Sequence, residues 1–288
     1  LKALDTKPKI EKKIETTNTE AYEFYLKAKH KYDKRENTDD TEIARGLLKK
    51  AIELDDNLIR AKTLLGWTYS DMGDYDKAME IYSSALKQAE EIGDKLGMGA
   101  SLGNIGIVHH YKGDLDKALD YYNRSLAIAE ELGNKRGMGA GLNNIGIVHN
   151  YKGDLDKALD YYKRSLAIQE ELGNKSGMGN SLGNIGSVYA DKGDLDTALD
   201  YYNRSLAIDE ELGDKYGMGY SLNNIGNVHH VKGDLDTALD YFERSLAICV
   251  ELGNKRLMGG SLNNIGNVHW NKGDLDTALD YYERSLAI

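Results

Sequence analysis

Histidine pairs stand at His109–His110 and His229–His230, with single histidines at His149 and His269. Imidazole is a metal ligand, and a zinc site needs its donors converging about 2 Å from one ion. Adjacent residues on a helix point about 100° apart, and packed helices stand about 8–10 Å apart. These histidines therefore do not converge, and no metal is expected. GMGASLG (97–103) and GMGAGL (137–142) have the look of phosphate loops, but no strand pattern precedes them and no Gly-Lys-Ser/Thr follows. Ser125 and its copies Ser165, Ser205, Ser245 and Ser285 lack a histidine or lysine at helical contact spacing, the base that a serine nucleophile requires. The acids Asp114, Asp116, Glu130 and Glu131 fall where they cap helices or face solvent, and no glycosidase-type carboxylate pair is visible. The chain is read as non-catalytic, with no cofactor.

Asparagine recurs more regularly than any of these. Asn104, Asn144, Asn184, Asn224 and Asn264 stand forty residues apart. A carboxamide offers two N–H donors and an acceptor oxygen, so a row of them can hold an extended peptide backbone whatever its side chains. The same row can instead bond a neighbouring helix and only stabilise a stack; the sequence leaves both open. Beside the row, five positions vary from copy to copy. The first reads Ala100, Ala140, Asn180, Tyr220 and Gly260, and the second Gly103, Asn143, Gly183, Asn223 and Asn263. The third reads Ile107, Ile147, Ser187, Asn227 and Asn267, and the fourth His110, Asn150, Ala190, His230 and Trp270. The fifth reads Tyr111, Tyr151, Asp191, Val231 and Asn271. Their mutual spacings of three, four, three and one trace one helical face.

The elements that position this face follow from a forty-residue block. GDLDKALDYYNRSLAI (113–128) returns with small changes at 153–168, 193–208, 233–248 and 273–288, and more loosely at 73–88. A fixed period of this length predicts stacked supersecondary units. Each close copy reads as two helices. The first spans Met98 to Lys112. The second begins after Gly113 with Asp114 as N-cap and stops at Gly133, a C′ glycine. Asn134 or the equivalent Asp214 then caps the next first helix. Short loops make neighbouring helices antiparallel. The first helix is poor by propensity, with four glycines in GMGASLGNIG, each costing about 1 kcal/mol relative to alanine, so packing between repeats has to hold it. The ladder Met98, Met138, Met178, Met218 and Met258 reads as core or as an adaptable strip.

These blocks resemble tetratricopeptide repeats. The match is carried by Gly66, Gly106, Gly146, Gly186, Gly226 and Gly266 in the first helix, and by Ala78, Ala118, Ala158, Ala198, Ala238 and Ala278 in the second. It is extended by the aromatics Tyr82, Tyr122, Tyr162, Tyr202, Phe242 and Tyr282, and by the small residues from Ala85 to Ser285. The unit is forty residues rather than the usual thirty-four, which looks like the repeats of kinesin light chain and Pins-type adaptors. The usual proline near the end of the second helix is missing, and His109, His149, His229 and His269 take a position the family fills with a packing tyrosine. The opening hairpin, EAYEFYLKA…KKAIELDDN, resembles the first repeat of bacterial proteins that join an adenylate cyclase domain to such arrays. The resemblance implies an all-α, right-handed α-solenoid superhelix of about seven antiparallel hairpins. It also implies that the variable face lines a concave ligand groove, and it likens the asparagine row to the groove asparagines of O-GlcNAc transferase and of chaperone-binding tetratricopeptide domains.

Residues 1–18 are expected to be a linker or disordered lead-in and 19–288 the superhelix, with repeats near 20–56, 59–95, 98–135, 138–175, 178–215, 218–255 and 258–288. A protein or peptide ligand is the expected partner, contacted by Asn104, Asn144, Asn184, Asn224 and Asn264. Selectivity is expected from His110, Tyr111, Asn143, Asn150, Tyr151, Asn180, Tyr220, Asn223, Asn227, His230, Asn263, Asn267 and Trp270. Trp270 is an anchor if it is exposed, or else covers a bare terminal repeat. The net charge of −10 argues against nucleic acid, and the lack of an eighteen-residue apolar run argues against membrane insertion. The lone Cys249 fits a reducing, cytoplasmic setting. The chain opens on Leu1 and stops partway through a repeat, like an excised fragment whose signals lie elsewhere. Two other roles are weighed. One is the regulatory arm of a signalling protein such as a nucleotide cyclase. The other is end-to-end self-association through an uncapped C-terminal repeat.

Overall fold

The computed structural model describes residues 18–35 and 38–288. The lead-in expected over 1–18 lies outside the described residues, except for Asn18. That side chain caps the first helix, accepting from the Ala21 N–H at 3.1 Å, and donates to the Leu54 carbonyl at 2.8 Å.

Among the described residues the chain forms fourteen α-helices and no strand. They run α1 Thr19–Asp33, α2 Thr38–Leu54, α3 Ile59–Asp71, α4 Tyr75–Ile92, α5 Lys95–Tyr111, α6 Leu115–Glu131 and α7 Lys135–Tyr151. Then follow α8 Leu155–Leu172, α9 Lys175–Asp191, α10 Leu195–Leu212, α11 Lys215–Val231, α12 Leu235–Glu251, α13 Lys255–Asn271 and α14 Leu275–Leu286. Two compact units divide between Ile128 and Ala129. In the first, α1 pairs with α2 and α3 with α4, and α3 also touches α5. In the second, α7 pairs with α8, α9 with α10, α11 with α12 and α13 with α14, while α7, α9, α11 and α13 each touch the next in that series.

Local chemistry sets these boundaries. The first helix of a repeat starts at Lys95, three residues ahead of the expected Met98. The Asp94 side chain accepts from the Gly97 N–H at 3.0 Å, placing the cap before the glycine run. Gly93, at φ 71°, ends α4 in the left-handed region, where a Cβ would be strained. Capping of the second helices departs in part from expectation. Asp74 and Asp194 accept from the Lys77 and Thr197 N–H groups. Asp154 makes no such bond and turns an oxygen to His149 Nδ1 at 3.1 Å.

The glycine-rich first helix has a packing reason. A Cβ on Gly106 would lie 2.6 Å from the Tyr122 ring, and on Gly186 2.8 Å from the Tyr202 ring. The aromatic thus packs against bare backbone, and both rings are buried. The recurrent serines do more than leave room. Ser165, Ser205 and Ser245 donate to the carbonyls of Gly139, Gly179 and Gly219 at 2.8–2.9 Å, tying each second helix to its first. Consecutive repeats are also joined by exposed ion pairs, such as Lys192 with Asp156 and Lys232 with Asp196, both 2.6 Å, and Lys175 with Glu211.

Candidate functional site

The invariant side of the first helices is core: Leu182, Ile185 and Val188 are buried, as are Leu222, Ile225 and Val228. The asparagine row sits at its edge, and all five members are half-buried. In the second unit the row reaches one repeat back. Asn184 Nδ2 donates to Asn143 Oδ1 at 2.9 Å, and Asn264 Nδ2 donates to Asn223 Oδ1 at 3.0 Å. For Asn224 the residue one repeat back is Gly183, which has no side chain to accept, and its Nδ2 is buried with no partner in the chain. Two steps of the row are therefore part of the stack. Each bonded carboxamide keeps a second N–H and its oxygen. Whether a step closes depends on the second variable position, which is Gly in some repeats and Asn in others.

The third variable position is read by the buried aromatic of its own repeat. Tyr202 Oη donates to Ser187 Oγ at 3.1 Å and Tyr282 Oη to Asn267 Oδ1 at 2.8 Å. Burial pushes the Tyr202 phenol up to about 12, opposed by the Ser187 bond. Where the third position is Ile147, burial is the largest cause raising the Tyr162 phenol, and Tyr220, Tyr151 and Asp191 add to it. Asn227 faces a repeat whose aromatic is Phe242, which has no hydroxyl to give. His230 Nε2 meets Asn271 Nδ2 at 2.7 Å, and burial lowers the pKa of His110. The Asn150 Oδ1 is buried without a partner.

Beyond these engaged side chains the face is open. Tyr151 is 70%, Trp270 59% and Tyr220 45% exposed, and Asn180 and Asn263 are exposed too. Tyr111 is exposed while its ring stacks on Tyr75 at 5.6 Å. In the first unit a hollow of about 250 Å³ opens on the same kind of face, lined by Tyr25 of α1, Arg60, Thr63, Leu64 and Trp67 of α3, and Asn104 of α5. Of these only Asn104 was expected at a site. The signal was nevertheless in the sequence: 60, 63, 64 and 67 are 100, 103, 104 and 107 less forty, in the register that Gly66 shares with Gly106.

Four of the histidines, His109, His149, His229 and His269, are packing groups. His109 stacks on Tyr121 with centroids 5.3 Å apart and an interplanar angle of 12°, and its Nδ1 meets Asp114 Oδ2 at 3.2 Å. Arg124 covers the same tyrosine ring at 5.2 Å. His149, His229 and His269 stack likewise on Tyr161, Tyr241 and Tyr281, and Tyr189 on Tyr201. No group of three His, Cys, Asp or Glu among the described residues could hold a metal ion. The first-helix face thus carries aromatic, amide and imidazole groups, which suit hydrogen bonding and apolar contact.

Comparison with known proteins bears on the scaffold. The crystal structure of BtubC (BKLC) from P. vanneervenii superposes with a TM-score of 0.64 at 21% identity, over 74% of this chain and 90% of that one. Apo RapI gives a TM-score of 0.69 at 17% identity, over 93% and 97%. A Rap protein complexed with Competence and Sporulation Factor gives 0.71 at 18% identity, over 94% and 76%. These likenesses establish an all-α solenoid fold. No curated protein matches the chain. The tetratricopeptide repeat profile matches residues 57–131, 137–211 and 218–288. With most of its length matched in these three stretches, and with the glycine, alanine and aromatic packing described above, this chain belongs to the tetratricopeptide repeat family.

Proposed function

We propose that this chain is a non-catalytic scaffold that holds a peptide segment of a partner protein in the concave groove formed by its first helices. Tetratricopeptide arrays are in general protein-interaction scaffolds, and the fold as such is not catalytic. The observation that carries the finer reading is the pairing of an invariant buried edge with an exposed face that differs in every copy. Tyr151, Tyr220 and Trp270 spend aromatic surface on solvent at the positions where copies diverge, and aromatic anchors dominate binding energy at interfaces. The asparagine row lies beside them with donors and oxygens left over. The Rap protein that shares this fold was crystallised with Competence and Sporulation Factor, which supports a ligand-holding role for the architecture. No helix among the described residues is long and apolar enough to cross a membrane, and the single buried thiol supports a reducing, cytoplasmic setting.

Selection of displayed twelve-residue peptides on the immobilised chain tests this. Peptides recovered on the wild type should lose at least tenfold in affinity for the Tyr220→Ala, Trp270→Ala double variant, because removing two exposed aromatics leaves the fold intact but strips anchors. Equal affinity for both proteins would place binding elsewhere.

A further inference from the structure

We infer that a second copy of this chain docks, about a two-fold axis, on the edge where α10 and α12 end and α11 and α13 begin. Four apolar side chains are exposed there: Leu212 at the end of α10, Tyr216 in the first turn of α11, and Val250 and Leu252 at the end of α12. The ion pair of Lys215 with Glu251 holds the start of α11 beside the end of α12. A lone exposed leucine is ordinary. Tyr216 and Val250 are not, because both are more than half exposed and both replace polar groups of other repeats. Val250 stands where Glu90, Glu130, Glu170 and Glu210 stand in the other copies, and Tyr216 where the two preceding repeats have Arg136 and Ser176. In no other hairpin of the array are both positions apolar. An apolar cluster confined to one stretch of an otherwise charged edge marks a contact surface. Three of its four residues belong to second helices or their ends, so the contact does not depend on the groove reading.

Charge identifies the occupant. Glu210, in the last turn of α10, and Arg256, in the first turn of α13, are both exposed. Neither side chain is engaged by another among the described residues. Because α10 packs on α11, α11 on α12 and α12 on α13, the apolar residues fall between this acid and this base. A two-fold axis through the middle of the edge exchanges its ends, so Glu210 of each copy faces Arg256 of the other. Such exposed pairs add little energy, but they fix the register and reject wrong partners. The affinity comes from the apolar centre, with Tyr216 as its aromatic anchor. Two copies of net charge −10 repel at a distance, so the contact forms where salt screens that repulsion.

Sedimentation velocity of the chain over a concentration series, at about 0.15 M salt, tests this. The expected result is a monomer–dimer equilibrium that stops at two copies. Val250→Glu restores the residue of the other copies, and Tyr216→Ser that of the preceding repeat. Each should weaken dimerisation about tenfold and leave the melting temperature unchanged, since both side chains are exposed. If Val250→Glu does not fold, Tyr216→Ser carries the same test. Glu210→Arg and Arg256→Glu should each weaken dimerisation about tenfold, because like charges then face each other twice. Mixing these two variants should recover the dimer, since every charge again meets its opposite. A chain that stays monomeric throughout, or a dimer indifferent to Val250→Glu and Tyr216→Ser, would overturn the inference. So would charge variants that fail to associate on mixing. Mass that grows past two copies would also overturn it, because an open head-to-tail contact and not a two-fold one would then be at work.

Discussion

Replacing Asp209 by asparagine should stabilise this protein above pH 6. Asp209 is 7% exposed, lodged at the junction of two repeats against Gly179 and Gly217, with Oδ2 accepting from Ser221 Oγ at 3.1 Å. Burial pushes its carboxyl up to about 6, helped by repulsion from Asp214 and opposed by the Ser221 bond. An unfolded aspartate titrates near 3.8, so between about pH 4 and 6 the native state holds a proton that the unfolded state has lost. Stability therefore falls as pH rises through that window and is lowest above it. Two units at 1.36 kcal/mol each set an upper bound of about 3 kcal/mol, and relaxation of the site brings the expected gain to about 1–2 kcal/mol. Asparagine keeps an oxygen for Ser221. The same position holds Ala129, Gln169 and Cys249 in other repeats, so the junction accepts neutral side chains. Denaturant unfolding of wild type and Asp209→Asn at pH 4 and pH 8 measures the effect, because every other carboxylate cancels in the difference. The variant should match wild type at pH 4 and exceed it at pH 8. A variant less stable at pH 8 would mean that the charge is favourably held, and the reasoning from burial would be wrong.

The two kinds of asparagine step should respond differently to alanine. Asn184→Ala orphans the Asn143 oxygen and should cost about 1 kcal/mol, whereas Asn224→Ala removes a buried donor that has no partner and should be neutral or stabilising by thermal melting. Gly186→Ala drives a Cβ to 2.8 Å from the buried Tyr202 ring and should lower stability by about 1–3 kcal/mol despite the better helix propensity of alanine, as denaturant titration would read. Phe242→Tyr, the residue of the other close copies, should gain about 0.5–1 kcal/mol if its hydroxyl finds Asn227 as Tyr282 finds Asn267; a loss on calorimetry would show that the ring has no room for the oxygen.

Much of the fold was legible because the repeat prints its constraints several times. Period, most of the capping residues and the recurrence of the glycine and aromatic positions were readable from the close copies, whereas the contact of each glycine with its aromatic ring was not. The non-convergence of the histidines followed from helix geometry alone, and the stacks on Tyr121 and its equivalents agree with it. What the sequence hid lies between repeats. Asn184 and Asn224 both open an Asn-Ile-Gly string, and the residue forty-one positions earlier, Asn143 or Gly183, decides which one bonds. The serines read as small residues because an Oγ donating to the carbonyl of the facing helix leaves no local signature. Arg60 and Trp67 lie outside the five close copies whose differences define the variable face, although Gly66 sets the second repeat in register with them.

The most direct test of the groove reading is site-specific photocrosslinking to a selected peptide. A photoreactive phenylalanine analogue is placed at Tyr151 or Tyr220 on the first helices, or at the exposed positions Asn203 or Glu243 on the second helices. Crosslinks at 151 or 220 with none at 203 or 243 are the predicted result; crosslinks at 203 or 243 with none at 151 or 220 would contradict it.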